Sequence, residues 1–315
     1  MSAAVHVLGE PLLELSSDEP LETAASLALS FSGDALNAAA ASAAAGVRTV
    51  LLSRVGDDEI GTRLLVYAAG LGVETGAVLR GPEPTGAYLV GADPAGQRDF
   101  VYLRSGSAAA SMRPDHLDDA AVRDELAGAR VLLVSGIAMA SSASLGDTVV
   151  EAARRVHEAG GLVVYDPNFR HRLTGPDGAR EHLQRLTPYL SVVVPSVPSD
   201  TEALVGTDDP ETAVGRLREL GCRDLVLTAG ADGVYLALGD QLVHVPALPV
   251  DDVRDATGAG DVFVGTLAAG LASGPLDEDL VRTAAAAAAL SLAGRGGTGH
   301  LAERADVEEL AKRGA

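Results

Sequence analysis

Short apolar runs, each closed by a turn former and most followed by a longer helical stretch, recur along the whole of this chain. Val5-His6-Val7-Leu8-Gly9 reads as a first strand, and residues 10–15 and 24–31 read as further extended pieces. A helix of small residues is expected over 38–45, with Gly33 making the turn into it and Asp34 as its cap. Strands at 49–53 and 75–79 flank a helix over 57–70. The pattern continues with a strand at 131–134, an amphipathic helix over 142–159, and strands at 161–165, 191–194 and 224–228. Residues 234–238 and 242–245 read as an antiparallel pair. A buried helix beginning near 262 and an alanine-rich helix over 281–292 follow. Repeated strand–helix–strand units predict an α/β fold, a doubly wound and mainly parallel sheet flanked by helices.

The alternation breaks once. Gly86-Ala87-Tyr88-Leu89-Val90 and Arg98-Asp99-Phe100-Val101-Tyr102-Leu103-Arg104 flank Asp93-Pro94-Ala95-Gly96, a hairpin with a clear turn signal. Together with the early extended pieces it predicts a small β-sheet lid, built from segments 10–31 and 85–104 of a single α/β domain over residues 1–315. Tyr102 and Arg104 are two apart and are expected on one strand face, with Tyr88 beside them from the partner strand. The exposed edge of such a lid invites pairing, so a homodimer through the lid is expected.

Composition narrows the chemistry. The chain is 47% hydrophobic over 315 residues, enough for a large core, and its formal net charge of -20 disfavours nucleic acid and anionic membranes as partners. Cys222 is the single cysteine, which excludes an internal disulfide or a thiolate zinc cluster. With no signal-peptide pattern and no apolar run of about 18 residues, a cytoplasmic protein is expected. The single lysine, Lys312, excludes a P-loop. If ATP is used, its phosphates must be held by backbone N–H groups, arginine and metal.

The candidate chemistry centres on Asp255-Ala256-Thr257-Gly258-Ala259-Gly260-Asp261. Gly258 and Gly260 let the backbone approach a ligand closely, and the helix that begins there points free N–H groups at an anion. The same field is expected to keep Asp261 ionised as a base beside the anion site. Base and anion hole together suggest phosphoryl transfer to a hydroxyl. Asp34 and Asn37 share one helix face after the Gly33 turn and suit a polyol. Asp166, Asn168 and Arg170 alternate at the C-terminal end of a buried strand, where open α/β sheets bind ligands. Arg104 and Arg170 would suit a carboxylated or phosphorylated molecule.

Four landmarks in this order resemble the ribokinase-like (PfkB) carbohydrate kinases over nearly the whole chain: Gly33-Asp34-Ala35-Leu36-Asn37, Asp166-Pro167-Asn168-Phe169-Arg170, the segment from Thr228 to Gly233, and the 255–261 signature with Phe263. The resemblance implies ATP-dependent phosphorylation of a primary hydroxyl of a small sugar or sugar acid. Asp261 would then be the base, and the backbone of Gly258, Ala259 and Gly260 the anion hole. Thr228, Gly230, Gly233, Thr257, Gly258 and Gly260 would belong to the nucleotide site, with the loop 295–298 near the adenine. The implied cofactors are ATP and Mg2+, with K+ beside Asp255 and Thr257. The family's Asn-x-x-Glu, linked to magnesium, is altered here to Pro195-Ser196-Val197-Pro198-Ser199-Asp200-Thr201-Glu202, so either Asp200 or Glu202 supplies the acid. Within the family the chain is most similar to 2-keto-3-deoxygluconate kinases, which implies substrate contacts from Gly33, Asp34, Asn37, Tyr88, Tyr102, Arg104 and Arg170. The alternatives are a fructose, ribose or nucleoside kinase of the same family and a non-catalytic sugar-binding regulator. A dinucleotide-dependent oxidoreductase is disfavoured, because the first strand leads to Gly9-Glu10-Pro11 and not to GxGxxG.

Overall fold

The computed structural model describes residues 4–91, 100–250 and 253–313. Along the chain, β1 (Ala4–Leu8), β2 (Leu12–Ser16) and β3 (Ala28–Ser32) precede α1 (Asp34–Ala44), β4 (Arg48–Gly56), α2 (Glu59–Gly70) and β5 (Val78–Gly81). The hairpin strands β6 (Ala87–Val90) and β7 (Phe100–Leu103) come next, then α3 (Ala120–Ala127), β8 (Val131–Ser135), α4 (Gly136–Ser141), α5 (Ala143–Glu158) and β9 (Leu162–Asp166). The last third holds α6 (Pro176–Leu186), β10 (Val192–Val193), α7 (Ser199–Val205), α8 (Pro210–Glu219) and β11 (Asp224–Thr228). It ends with β12 (Val234–Leu238), β13 (Gln241–Val245), α9 (Ala259–Leu271), α10 (Glu278–Ser291) and α11 (Arg304–Arg313).

Nine strands form the main sheet in the order β13-β12-β11-β10-β9-β8-β1-β4-β5. The seven from β5 to β11 are parallel, and β12 and β13 close one edge antiparallel. Strands buried on both faces must be apolar throughout, and β8 (Val131–Ser135) is buried at every position. Separate apolar cores lie on the two faces. One gathers α3, α5, α6, α7 and α8, and the other gathers α1, α2, α9 and α10.

A second sheet of four strands, in the order β3-β2-β6-β7, stands beside the first. Its pleat sorts the residues sharply. Glu14, Ser30, Ser32, Tyr88 and Tyr102 share one face, and Leu13, Leu15, Leu29, Leu89, Val101 and Leu103 share the other. The expected turn 93–96, with Arg98 and Asp99, lies outside the described residues.

The structure departs from expectation at several helices. α1 begins at Asp34, four residues early, because Gly33 itself is the N-cap residue with φ 111. Asp34 is therefore not a cap, and its carboxylate is available for other partners. β5 sits three residues later than expected, at Val78–Gly81. The helices α3, α4, α6, α7, α8 and α11 had no counterpart in the apolar pattern. They are short, and α3, α6, α8 and α11 each bury only two or three residues in an otherwise polar sequence, so no long apolar run marks them.

One close approach positions everything near the strand ends. A Cβ on Gly265 of α9 would lie 2.2 Å from the Ala38 carbonyl oxygen of α1, so the two helices meet backbone to backbone. Replacing Gly265 with Ala raises helix propensity but forces the pair apart. The variant should unfold at lower urea with a loss of about 1–3 kcal/mol; a gain, as propensity alone predicts, would show that the contact is slack.

Candidate active site

The C-terminal ends of β1, β8 and β9 and the N-terminal ends of α1 and α9 converge on one crevice. Asp261 lies in the first turn of α9. The α1–α9 contact sets it beside Asn37, whose amide donates to Asp261 Oδ2 at 2.8 Å. Ser32, at the end of β3, donates to Asn37 Oδ1 at 3.3 Å and so fixes which end of the amide faces the carboxylate. From the opposite side the Asn168 amide approaches Asp261 Oδ1 at 3.5 Å. Asn168 is the only non-glycine in the left-handed region among the described residues (φ 39), and its N–H donates to Asp166 Oδ1 at 3.0 Å. Such local strain persists where surrounding structure imposes it.

The turn before α9 is shaped by its glycines in two different ways. Gly258 has φ 82, and a Cβ there would lie 2.4 Å from Gly297 Cα, so packing alone demands glycine. Gly260 has neither a positive φ nor any neighbour within 4 Å of a Cβ. Its missing side chain leaves open space above the helix N-terminus. No acceptor among the described residues takes the N–H of Gly260 or Asp261, while Ala259 N–H makes a long bond of 3.3 Å to Ala256. Open space and free N–H groups make an anion site.

Like charges crowd this carboxylate. Desolvation pushes Asp261 up to about 7, and the negative charge of Asp34 adds to the rise, while Asn37 and Arg170 oppose it. The expectation that the helix N-terminus keeps Asp261 ionised is thus corrected: burial outweighs the dipole. Asp166 is pushed well above its ordinary range, first by desolvation and then by Asp200, Asp261 and Asp34. Asp34 accepts the Ser135 hydroxyl across the crevice.

The small sheet supplies the other wall. Tyr88 donates to Glu14, which also accepts Ser30 at 3.0 Å; burial and the Glu14 charge push the phenol well above its usual value. Tyr88 and Tyr102 are directly paired, with ring centroids 6.4 Å apart. Arg104 lies beyond the end of β7 and turns inward. It is buried against Glu10 and Ser141, and its guanidinium carbon lies 5.9 Å from the Tyr102 ring centroid. Arg170 is exposed and donates to the Phe169 carbonyl at 3.2 Å.

The remaining candidates spread around the crevice. Asp200 is buried and fully engaged, accepting Phe169 N–H at 2.7 Å, Ser196 N–H at 2.6 Å and the Ser196 hydroxyl at 2.8 Å. It ties the 196–200 turn to the segment after β9. Glu202 is exposed on α7. Thr228 joins β11 to this turn through Val197 N–H at 2.8 Å. Gly233 is required by packing, since a Cβ would meet the Val245 carbonyl at 2.2 Å, whereas Gly230 faces open space. Asp255 accepts Thr257 N–H at 2.9 Å and Gly296 N–H at 2.8 Å, which pins the 295–298 loop to the anion turn. Thr298 and Arg295 are anchored by Tyr67 at 2.7 Å and Asp18 at 3.2 Å. Glu10, Glu14, Ser135, Ser141 and Gly297 were not singled out from the sequence as site residues. The buried Glu10 and half-buried Glu14 do stand out in retrospect, as acids within the apolar run Leu8 to Leu15.

The pattern of the pfkB family carbohydrate kinases matches residues 5–304. The chain belongs to this family. It is therefore a phosphotransferase that acts on a sugar hydroxyl. Similar curated proteins include the 2-dehydro-3-deoxygluconokinase of Thermoproteus tenax, 35% identical over 97% of this chain and 93% of that one. The 2-dehydro-3-deoxygalactonokinase of Haloferax volcanii is 31% identical over 92% and 91%. A solved PfkB protein from Polaromonas superposes with a TM-score of 0.85 at 27% identity, covering 97% of this chain and 99% of that one.

Because burial lifts Asp261 above its unfolded value, the native state holds this proton more tightly than the unfolded chain between about pH 4 and 7. That stability is full below pH 4 and is lost as pH rises through 7. Asp261→Asn should therefore be more stable than the parent at pH 8, by about 1–4 kcal/mol, and level with it at pH 4. Thermal unfolding at both pH values measures this, and a variant that is no more stable at pH 8 contradicts it.

Proposed function

We propose that this kinase transfers the γ-phosphoryl group of ATP to a primary hydroxyl of a 2-keto-3-deoxy sugar acid, with 2-keto-3-deoxygluconate the first candidate. The observation that carries the chemistry is Asp261 beside the open N–H turn at Gly260, steadied by Asn37. Asp261 in its ionised form takes the hydroxyl proton as that oxygen forms its bond to the γ-phosphorus and the bond to the ADP oxygen breaks. Charge on the transferred group falls on the N–H groups of Gly258, Ala259, Gly260 and Asp261, which are in place beforehand. A base with a pKa near 7 suits this task at neutral pH. Asp34, Asn37 and Gly33 line the sugar side, with Tyr88 and Tyr102 on the small sheet acting as a lid that keeps water, a competing acceptor, from the reaction. Thr228, Gly230 and Gly233 with the 295–298 loop take the nucleotide.

Magnesium suits the acid-rich strand ends. Asp166 Oδ2 has no donor among the described residues, and the surplus negative charge of Asp34, Asp200 and Asp261 favours a hard cation. Asp200 is committed to its turn, so Asp166 and Glu202 are the carboxylates we assign to it. The ion would neutralise phosphate charge. For potassium we assign Asp255 and Thr257, which join the anion turn to the 295–298 loop.

The acid substrate is supported by Arg170 at the exposed rim, by Arg104 on the lid side, and by relatives that act on gluconate and galactonate forms. A neutral sugar is the second reading, favoured by the ion pair that already engages Arg104. We place the reaction in the cytoplasm, where ATP is held; no helix among the described residues is long and apolar enough to cross a membrane. We also place a second copy of the chain on the apolar lid face, where Val101 is 46% and Leu103 58% exposed.

ADP release should be strong with a 2-keto-3-deoxy acid and weak with fructose, ribose or adenosine. Asp261→Asn should lose about 10²–10⁴-fold in kcat. Arg170→Ala should raise KM for the acid about tenfold or more with KM for ATP unchanged. Turnover on a neutral sugar alone would overturn the acid reading, and a fully active Asp261→Asn would overturn the base. Leu103→Glu should convert a dimer to a monomer in sedimentation; an unchanged mass would place the interface elsewhere.

A further inference from the structure

Arg104, on which the acid reading leans, is already held on one edge. Its Nε donates to Glu10 Oε2 at 2.7 Å, and its Nη2 lies 2.5 Å from the same oxygen in the ion pair and donates to Ser141 Oγ at 2.6 Å. A guanidinium has five N–H donors. These contacts occupy the Nε–Nη2 edge, and the two donors on Nη1 have no partner among the described residues. Glu10 is itself fixed. It is 1% exposed, and its other oxygen accepts the Ser107 hydroxyl. Gly86 presses on it so closely that a Cβ there would lie 2.3 Å from Glu10 Oε1 and 2.8 Å from Leu12 Cδ2. Desolvation raises the Glu10 carboxyl and the Arg104 charge draws it back down, as befits a buried pair that stands or falls together.

We propose that Glu10 is a positioning and specificity-determining residue for the sugar: it holds the Nε–Nη2 edge of Arg104, so that only Nη1 is left to meet the substrate carboxylate, end-on. This rests on the reading that Arg104 meets such a carboxylate. Three consequences follow from the geometry. The guanidinium is immobilised before substrate arrives, so little side-chain entropy is lost on binding. The side-on, two-pronged grip that arginine gives a free anion is blocked. The pair is neutral in sum, so the substrate carboxylate is met by directed N–H groups and not by surplus positive charge.

Two variants disturb Glu10 by different routes. Glu10→Gln removes its charge and keeps its shape, while Gly86→Ala pushes the carboxylate aside and changes no charge. Steady-state kinetics with 2-keto-3-deoxygluconate and ATP should show KM for the sugar acid raised about tenfold in each, with kcat within about twofold and KM for ATP unchanged. In an Arg104→Ala background neither change should raise it further, because Glu10 acts only through Arg104. A raised KM in Arg104→Ala, with the parent value kept in both Glu10→Gln and Gly86→Ala, overturns this proposal alone. The same increment with or without Arg104 also overturns it, since Glu10 would then act by another route. A parent-like KM in Arg104→Ala removes the carboxylate reading and this proposal with it. Should Glu10→Gln fail to fold, Gly86→Ala carries the comparison.

Discussion

Everything in the crevice depends on how closely α1 and α9 pack. Gly265 against the Ala38 carbonyl leaves no room for a side chain, so the two helices meet backbone to backbone, and Gly258 against Gly297 fixes the turn before α9. That packing puts Asp261 within hydrogen-bond reach of Asn37 and under the influence of Asp34, and its charge in turn acts on Asp166. A carboxylate in such company is costly to ionise. In the proposed reaction that cost is what makes Asp261 useful, because a base that holds its proton near neutral pH can both take one from a hydroxyl and give it up again. On the same proposal the helix N-terminus acts at the phosphoryl group and not at the carboxylate.

The small sheet is tied to this centre both by apolar packing, through Phe31 and Leu13 in the core beneath α1 and α2, and by polar contacts. Ser32 at the end of β3 orients Asn37, Arg295 reaches Asp18, and Arg104 enters the body to meet Glu10 and Ser141. Its own apolar cluster is small, built on Leu12, Tyr88 and Val90 with Phe100 and Tyr102 against them. A wall held this way can shift as a unit while the strand-end crevice stays rigid. The face of this sheet that carries Val101 and Leu103 has no polar residue at the paired positions, and part of it, at Phe31 and Leu13, is covered by the chain's own core.

Much of this was legible in the chain. The strand runs, the antiparallel close of the sheet and the glycine turn before Asp261 follow from apolar period and turn chemistry, as does the place of the Asp166-Pro167-Asn168 segment at a strand end. Short charged helices such as α3 and α8 were not read, because only two or three of their residues are buried in a sequence that is polar on average. Asp34 was expected as a cap and proved to be a partner of Ser135, since a conformation at Gly33 decides where the helix begins. The Glu10–Arg104 pair, 94 residues apart in sequence, could not be seen from spacing. Nor could the raised pKa of Asp261, which is set first by desolvation and then by Asp34, against Asn37 and Arg170.

The claim that organises this account is that Asp261 is a half-buried carboxylate whose proton is held near neutrality by desolvation and by the Asp34 charge. Carboxyl carbon NMR of the ligand-free enzyme, with Asp261→Asn to assign the resonance, tests it most directly. The account predicts one aspartate titrating near pH 7 that vanishes in the variant. A resonance assigned to Asp261 that titrates near pH 4, like an ordinary surface aspartate, would contradict it.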